Sequence, residues 1–130
     1  MESPKDSSNK KILIVDDEKD IRELTKELLI SWGYQVKTAS DGMAAIDMLR
    51  KEVFDLVLLD ILMPKMSGTE TVQIIRKDQK LKDQKIAMFT VVMKNEDDRI
   101  LLKLLNITEY ITKPFESQEL KKRLKKILAE

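Results

Sequence analysis

Apolar residues in this chain follow two alternating patterns, short continuous runs and longer stretches in which they recur at helical spacing. A short continuous run is typical of a strand that is buried on both faces of a parallel sheet. The predicted strands span residues 11–15, 34–38, 54–59, 86–90 and 107–111. The stretches between and after them predict five helices, each with one apolar face.

Several polar residues predict where these helices begin and end. Asp41 precedes the second helix, and Ser67 with Glu70 matches a capping box at the start of the third. Ser117 is expected to cap the last helix. Gly33 follows the first helix, where a glycine in the left-handed conformation commonly ends a helix.

The alternation of strand and helix predicts an α/β fold, because parallel strands are joined by right-handed helical crossovers. The helices should then cover both faces of a five-stranded parallel sheet. We predict one domain over residues 10–130, preceded by a polar, disordered tail over residues 1–9.

Composition narrows the range of functions. The 130 residues are 42% hydrophobic and 36% charged, as in a soluble globular protein of one domain. A net charge of +1 gives no general attraction to nucleic acid or to an anionic membrane. The chain lacks cysteine and histidine, so disulfides, thiolate chemistry and the commonest general base are excluded. No apolar run has membrane-spanning length, and we predict a cytoplasmic location.

Polar residues stand at the carboxyl ends of the predicted strands. Asp16 and Asp17 follow the first strand, Asp60 the third, Thr90 ends the fourth, and Lys113 lies just beyond the fifth. In a parallel sheet these ends share one edge, which is where ligands of α/β sheets bind. A single aspartate there is explained equally well as a turn or helix cap. Three carboxylates together repel one another, and they are better explained by a bound cation.

Oxygen ligands without histidine or cysteine favour a hard cation, and Mg²⁺ is the prediction because it leaves sites open for phosphate oxygens. Beside such an ion, Asp60 has the position of a nucleophile that forms an acyl phosphate. Lys113 would offset charge on the transferring group.

The order of these residues resembles the receiver domain of two-component response regulators. The matching motifs are Asp16-Asp17, Asp60 followed by Met63-Pro64, Thr90, and Lys113-Pro114-Phe115. The resemblance covers residues 11–129. Within the family, the chain is similar to the single-domain chemotaxis regulator type. It implies a flavodoxin-like, doubly wound (βα)₅ fold with strand order 2-1-3-4-5 and a cis peptide before Pro114.

The resemblance also implies roles for the residues. Asp60 accepts a phosphoryl group from the phosphohistidine of a sensor histidine kinase or a phosphotransfer protein. Asp16, Asp17, Asp60 and the backbone carbonyl of Leu62 form the Mg²⁺ site, and Lys113 contacts the phosphoryl oxygens. The domain is thus a signalling switch that catalyses only its own phosphorylation and dephosphorylation, and it is not an enzyme acting on an external substrate.

Thr90 and Tyr110 correspond to the family's switch pair. Phosphorylation is expected to shift the population between two arrangements of the face formed by the fourth helix, the fifth strand and the last helix. That face would bind a downstream protein target without direct contact to nucleic acid or membrane. The sequence leaves open whether phosphorylation also produces a homodimer.

Three residues depart from the usual family pattern. Val91 stands where a small residue is common, and we expect it to narrow access to Asp60. Leu62 and Val92 are apolar at two positions that often carry polar side chains near the attacking water. We therefore expect the phosphorylated form to hydrolyse slowly, and more slowly than a Leu62→Asn, Val92→Glu double variant.

Three other functions compete with this interpretation. A metal-dependent phosphatase with an aspartyl nucleophile generally has a second acid two residues on, where this chain has Leu62. A flavin-binding electron carrier needs a phosphate loop after the first strand, and the acidic residues 16–18 would repel a phosphate. A receiver that acts as a phosphorylation-independent binding module is the remaining alternative.

The fourth predicted helix has more apolar positions than one buried stripe requires. Either all of them are buried against the sheet and the fifth helix, or some form an exposed patch that binds a partner. The positions concerned are Ile100, Leu101, Leu102, Leu104 and Leu105.

Overall fold

The computed structural model describes residues 10–90 and 96–129, apart from the side chain of residue 98. The predicted tail over residues 1–9 lies outside the described residues, and so do Val91 and Val92.

Five strands and five helices alternate along the described chain, as predicted. In order they are β1 (Lys11–Val15), α1 (Lys19–Ser31), β2 (Gln35–Ala39), α2 (Gly42–Lys51), β3 (Leu56–Leu59), α3 (Gly68–Lys77), β4 (Ile86–Thr90), α4 (Glu96–Leu104), β5 (Glu109–Thr112) and α5 (Ser117–Ala129).

The strands form one parallel sheet in the order β2-β1-β3-β4-β5, which confirms the expected topology. β1 and β3 are aligned so that Val15 lies opposite Leu59. The residues that follow these two strands, Asp16 and Asp60, therefore reach the same edge of the sheet. β4 and β5 end together, with Thr90 opposite Thr112.

The sheet separates two hydrophobic cores because successive side chains of a strand point to opposite faces. In β1, Leu13 and Val15 face one core, whereas Ile12 and Ile14 face the other. The first core includes buried residues of α2, α3 and α4, and the second includes buried residues of α1 and α5. Burial on both faces explains why the central strands have continuous apolar runs.

The predicted start of the third strand was wrong by two residues, since β3 begins at Leu56. The preceding Phe54 is buried but not in the strand, and the Asp55 side chain accepts a hydrogen bond from the backbone nitrogen of Lys11 at 2.8 Å. The fifth strand also begins later than predicted, at Glu109. Ile107 lies in the turn that follows α4, and its N–H donates to the carbonyl of Leu102 at 2.9 Å.

Most of the predicted helix boundaries hold. The Asp41 side chain caps α2, the Ser67–Glu70 capping box starts α3, and Gly33 follows α1 with a φ of 99°. The predicted cap of α5 was wrong. Ser117 is the first helical residue, and the side chain of Glu116 accepts the hydrogen bond from Glu119 N at 2.8 Å.

The fourth helix is only partly buried. Leu102 is fully buried, Leu101 and Leu105 are half-buried, but Ile100 and Leu104 are 53% and 76% exposed. Complete burial of this apolar set is therefore the wrong alternative, and α4 presents an exposed apolar patch.

Candidate functional site

Three carboxylates meet at the carboxyl edge of the sheet. Asp16 and Asp17 follow β1, and Asp60 follows the central strand β3. Asp16 and Asp60 are buried, whereas Asp17 is exposed. One carboxylate oxygen from each residue lies within 4.8 Å of the other two. The predicted clustering of these residues is confirmed.

The backbone around Asp60 is held by the neighbouring strand and by its own side chain. Its N–H continues the sheet by donating to the carbonyl of Val15 at 3.0 Å. Its Oδ1 accepts a hydrogen bond from the N–H of Leu62 at 3.2 Å. This short turn keeps the Asp60 carboxylate beside the Leu62 backbone.

Asp16 is held through both its backbone and its side chain. Its N–H donates to the carbonyl of Ala39 at 3.2 Å, which extends the pairing of β1 with β2. Its Oδ1 accepts from the N–H of Glu18 at 3.0 Å, and its carbonyl accepts from Nη1 of Arg22 at 2.8 Å. Asp16 thus has little freedom to move away from the site.

Lys113 is the cation that faces the carboxylates. Its Nζ lies 2.7 Å from Oδ2 of Asp16, 3.5 Å from Oδ2 of Asp60 and 4.0 Å from Oε1 of Glu18. It also lies 5.4 Å from the centre of the Phe89 ring. Burial by itself lowers the pKa of Lys113, but the Asp16 hydrogen bond and the nearby negative charges outweigh it and raise the pKa. The ammonium is therefore charged. The Lys113–Pro114 peptide is cis, as expected.

The pKa of the Asp60 carboxyl is raised above its ordinary value. Burial is the largest cause, and the negative charges of Asp16 and Asp17 act in the same direction. Lys113 and the hydrogen bond from Leu62 oppose them without cancelling them. Three carboxylates face the single ammonium of Lys113, so the cluster has an excess of negative charge that a bound cation would balance.

Thr90 ends β4 at the same edge and is 2% exposed. Its carbonyl accepts a hydrogen bond from the N–H of Lys113 at 2.7 Å. Its hydroxyl has no hydrogen-bond partner among the residues that the structure describes. A buried hydroxyl without a partner is uncommon, so this one is available to a ligand.

Tyr110 lies on β5, opposite Met88 of β4, and is half-buried. Its hydroxyl donates to the carbonyl of Ile107 at 3.2 Å. Thr90 and Tyr110 thus occupy adjacent strands, two residues apart in register. The predicted pair is close in the fold.

The donor set fits a hard divalent cation. Three carboxylates supply negatively charged oxygens, one of them at a solvent-exposed position that admits water ligands. Lys113 neutralises only part of their charge. Mg²⁺ typically takes one or two carboxylates and keeps several waters, and these carboxylates supply the oxygen ligands for such an arrangement.

Comparison with known proteins agrees with this geometry. A sequence model described as the response regulator receiver domain matches residues 12–125. The chain belongs to this receiver family. Such domains serve signalling in two-component systems, in which response regulators partner with histidine kinases, and they bind Mg²⁺ at their acidic pocket.

Individual relatives include two transcriptional regulators. The chain is 42% identical over 124 residues to the alkaline phosphatase synthesis regulator PhoP of Bacillus subtilis, covering 92% of this chain and 49% of that protein. It is 38% identical over 118 residues to CpxR of Escherichia coli, covering 91% of this chain and 49% of that protein. The chain therefore spans about half the length of these regulators.

Solved structures give the same result. The chemotaxis protein CheY4 of Vibrio cholerae superposes with a TM-score of 0.83 at 33% identity, covering 91% of this chain and 98% of that one. The response regulator TrrA of Thermotoga maritima, solved with Mg²⁺ and BeF, has a TM-score of 0.76 at 42% identity, with coverages of 91% and 98%.

Several residues around the receiver site were not predicted from the sequence. Arg22 supports the Asp16 backbone, and Phe89 lies under the Lys113 ammonium. Gly68 packs against the backbone of Asp60. A signal for Gly68 was present, because it directly follows the predicted capping serine of α3. Arg22 and Phe89 looked like ordinary helix and strand residues.

Leu62, whose N–H bonds to the Asp60 carboxylate, is 64% exposed, so an apolar side chain stands in solvent two residues after Asp60. Among residues 10–90 and 96–129, no helix combines the length and apolar character needed to cross a membrane.

Proposed function

We propose that this receiver accepts a phosphoryl group on Asp60 from the phosphohistidine of a sensor histidine kinase or phosphotransfer protein. The observation that carries the proposal is the position of Asp60. It is a buried carboxylate with a raised pKa, 3.5 Å from the Lys113 ammonium and grouped with two further carboxylates. Asp16 is also buried near Lys113, but both of its carboxylate oxygens already accept hydrogen bonds, from the N–H of Glu18 and from Nζ of Lys113.

We assign the metal site to the carboxylates of Asp16, Asp17 and Asp60 and to the carbonyl of Leu62. Mg²⁺ bound there would supply positive charge to the oxygens of the transferring phosphoryl group. The mixture of buried and exposed carboxylates supports this assignment.

In the transfer step, one oxygen of Asp60 forms a bond to phosphorus while the bond from phosphorus to the donor imidazole nitrogen breaks. The electron pair stays on that nitrogen, which takes up a proton from solvent. Lys113 is already charged and held by Asp16 at 2.7 Å, so it can offset charge on the phosphoryl oxygens without reorganisation. The product is an acyl phosphate on Asp60.

The switch that follows uses Thr90 and Tyr110. The unpartnered hydroxyl of Thr90 would donate to a phosphoryl oxygen, and Tyr110 would move inward beside it. Tyr110 would then lose its hydrogen bond to Ile107, which lies between α4 and β5. Phosphorylation thereby shifts the population of the α4–β5–α5 face between inactive and active arrangements.

The output of this switch is a protein contact. Ile100 and Leu104 place exposed apolar surface on α4, which suits a downstream protein target. Residues 10–130 form the receiver unit in this proposal, and no direct contact with nucleic acid or membrane is assigned to them. A homodimer formed on phosphorylation would use the same face.

Intact mass spectrometry after incubation with phosphoramidate tests the proposal. We expect a single mass gain of about 80 Da that forms with Mg²⁺, does not form when EDTA is present and is absent in Asp60→Asn. The control variant Asp47→Asn removes an exposed aspartate on α2 and should keep the gain. A gain that survives Asp60→Asn, or one that is independent of Mg²⁺, would contradict the proposal.

A further inference from the structure

Gly68, the first residue of α3, lies directly against the peptide that follows the phosphoacceptor. A Cβ atom at this position would be 2.3 Å from the carbonyl oxygen of Asp60 and 2.8 Å from Cα of Ile61. Both distances are far below van der Waals contact, and both atoms belong to the backbone. A clashing side chain can rotate away, but here the main chain itself would have to move.

The contact is also a hydrogen bond. The N–H of Gly68 donates to the carbonyl of Ile61 at 2.8 Å. The start of α3 therefore lies against the carbonyl groups of both Asp60 and Ile61. This segment connects the Asp60 side chain to Leu62, whose carbonyl is assigned to the metal site.

The helix side of this contact is firmly held. Ser67 Oγ accepts from Glu70 N at 3.1 Å, and Glu70 Oε1 accepts from Ser67 N at 2.9 Å. Thr71 Oγ1 adds a bond to the carbonyl of Ser67 at 2.9 Å. Because the helix start is fixed by these bonds, an added methyl group at Gly68 would displace the Asp60–Leu62 turn rather than the helix.

The turn has fewer restraints. The Asp60 N–H bonds to Val15, and the Leu62 N–H bonds to the Asp60 carboxylate itself. Movement of the Asp60 carbonyl would therefore change the position of the carboxylate and of the Leu62 carbonyl together. We propose that Gly68 is a positioning residue of the phosphoacceptor site, whose missing side chain allows α3 to set the position of Asp60 and of the Leu62 carbonyl for Mg²⁺ binding. This inference rests on the proposed function.

Gly68→Ala tests the inference, with Ile127→Val as the control for general destabilisation. Ile127 is a buried residue of α5 in the second core, on the opposite face of the sheet from α3, and its shortening removes one buried methyl group. Mg²⁺ affinity is measured by isothermal titration calorimetry. We expect Gly68→Ala to bind Mg²⁺ about tenfold more weakly than wild type, as when a residue supporting metal ligands is changed. Ile127→Val should bind like wild type.

A second measurement needs no metal. In EDTA, amide hydrogen exchange followed by NMR should be faster at Leu62 in Gly68→Ala and unchanged in Ile127→Val. If Gly68→Ala does not fold, Ser67→Ala takes its place, because loss of the cap loosens the helix start without a clash. It should bind Mg²⁺ measurably more weakly than Ile127→Val.

The outcomes separate this inference from the proposed function. Wild-type Mg²⁺ binding that is unchanged in Gly68→Ala, with unchanged Leu62 exchange, overturns the positioning role alone. Equal weakening in Gly68→Ala and Ile127→Val also overturns it, because the effect would then be general destabilisation. A wild-type protein that binds no Mg²⁺ overturns the proposed function and this inference together.

Discussion

Removing the charge of Lys113 should destabilise the metal-free protein strongly. Its side chain is 6% exposed and that of Asp16 is fully buried. At 3.5 Å, the attraction between Lys113 and Asp60 is worth about 5 kcal/mol at an effective dielectric constant of about 20. The cost of burying the ammonium offsets part of this. Lys113→Met keeps the apolar stem but leaves buried carboxylates without a cation, and we expect a loss of about 3–5 kcal/mol in the free energy of unfolding.

Urea and thermal unfolding in EDTA at pH 7 measure this loss, which corresponds to roughly 10–20 °C in Tm. The folded-state pKa of Lys113 is raised, so its contribution is fully present below its ordinary value of 10.5 and is lost as the pH rises through the raised pKa. The loss in Lys113→Met should shrink on acidification, because protonation of Asp60 removes one of the two unpaired buried charges.

Lys37→Met is the control. Lys37 Nζ lies 2.8 Å from Oε2 of Glu52, but the lysine side chain is 50% exposed. Such a surface pair should contribute no more than about 1 kcal/mol. A loss in Lys113→Met that is no larger than the loss in Lys37→Met would refute the reasoning. So would a failure of Mg²⁺ to restore stability to Lys113→Met.

Two further predictions concern the same site. Asp60→Asn should raise the Tm in EDTA at pH 7, because the raised pKa of Asp60 means that its ionised form destabilises the folded state. This gain in Tm should vanish as the pH falls below the ordinary pKa of 3.8, and a gain that does not depend on pH would contradict this cause. Leu62→Asn should shorten the lifetime of the acyl phosphate, because the polar amide of the new asparagine would orient water beside Asp60. The decay of the added mass over time measures this lifetime. A lifetime equal to or longer than that of the wild type would show that the exposed leucine does not slow hydrolysis.

The sheet was predictable because burial on both faces leaves a clear mark on the sequence. Strands such as β1 and β4 contain no polar residue among their buried positions except the terminal Thr90, so their limits are sharp. The site was predictable once the strands were placed. Parallel strands bring their carboxyl ends together, and the aspartates, Thr90 and Lys113 each stand at such an end.

What the sequence did not reveal depends on contacts between distant residues. The start of β3 is displaced because the Asp55 side chain bonds to the amide of Lys11, and no local pattern records that pairing. The exposure of Ile100 and Leu104 depends on which side of α4 packs against the first core, and that side is the one with Leu102. Gly68 is required by the position of the Asp60 backbone, which lies on a different element.

Chemical trapping of the acyl phosphate tests the role of Asp60 most directly. Borohydride reduces an aspartyl phosphate to homoserine, and peptide mapping by mass spectrometry then locates the modified residue. After treatment with phosphoramidate and Mg²⁺, we predict homoserine at position 60 and none when EDTA is added. Homoserine at Asp16 or Asp17 with an unmodified Asp60 would contradict the assignment of the phosphoacceptor.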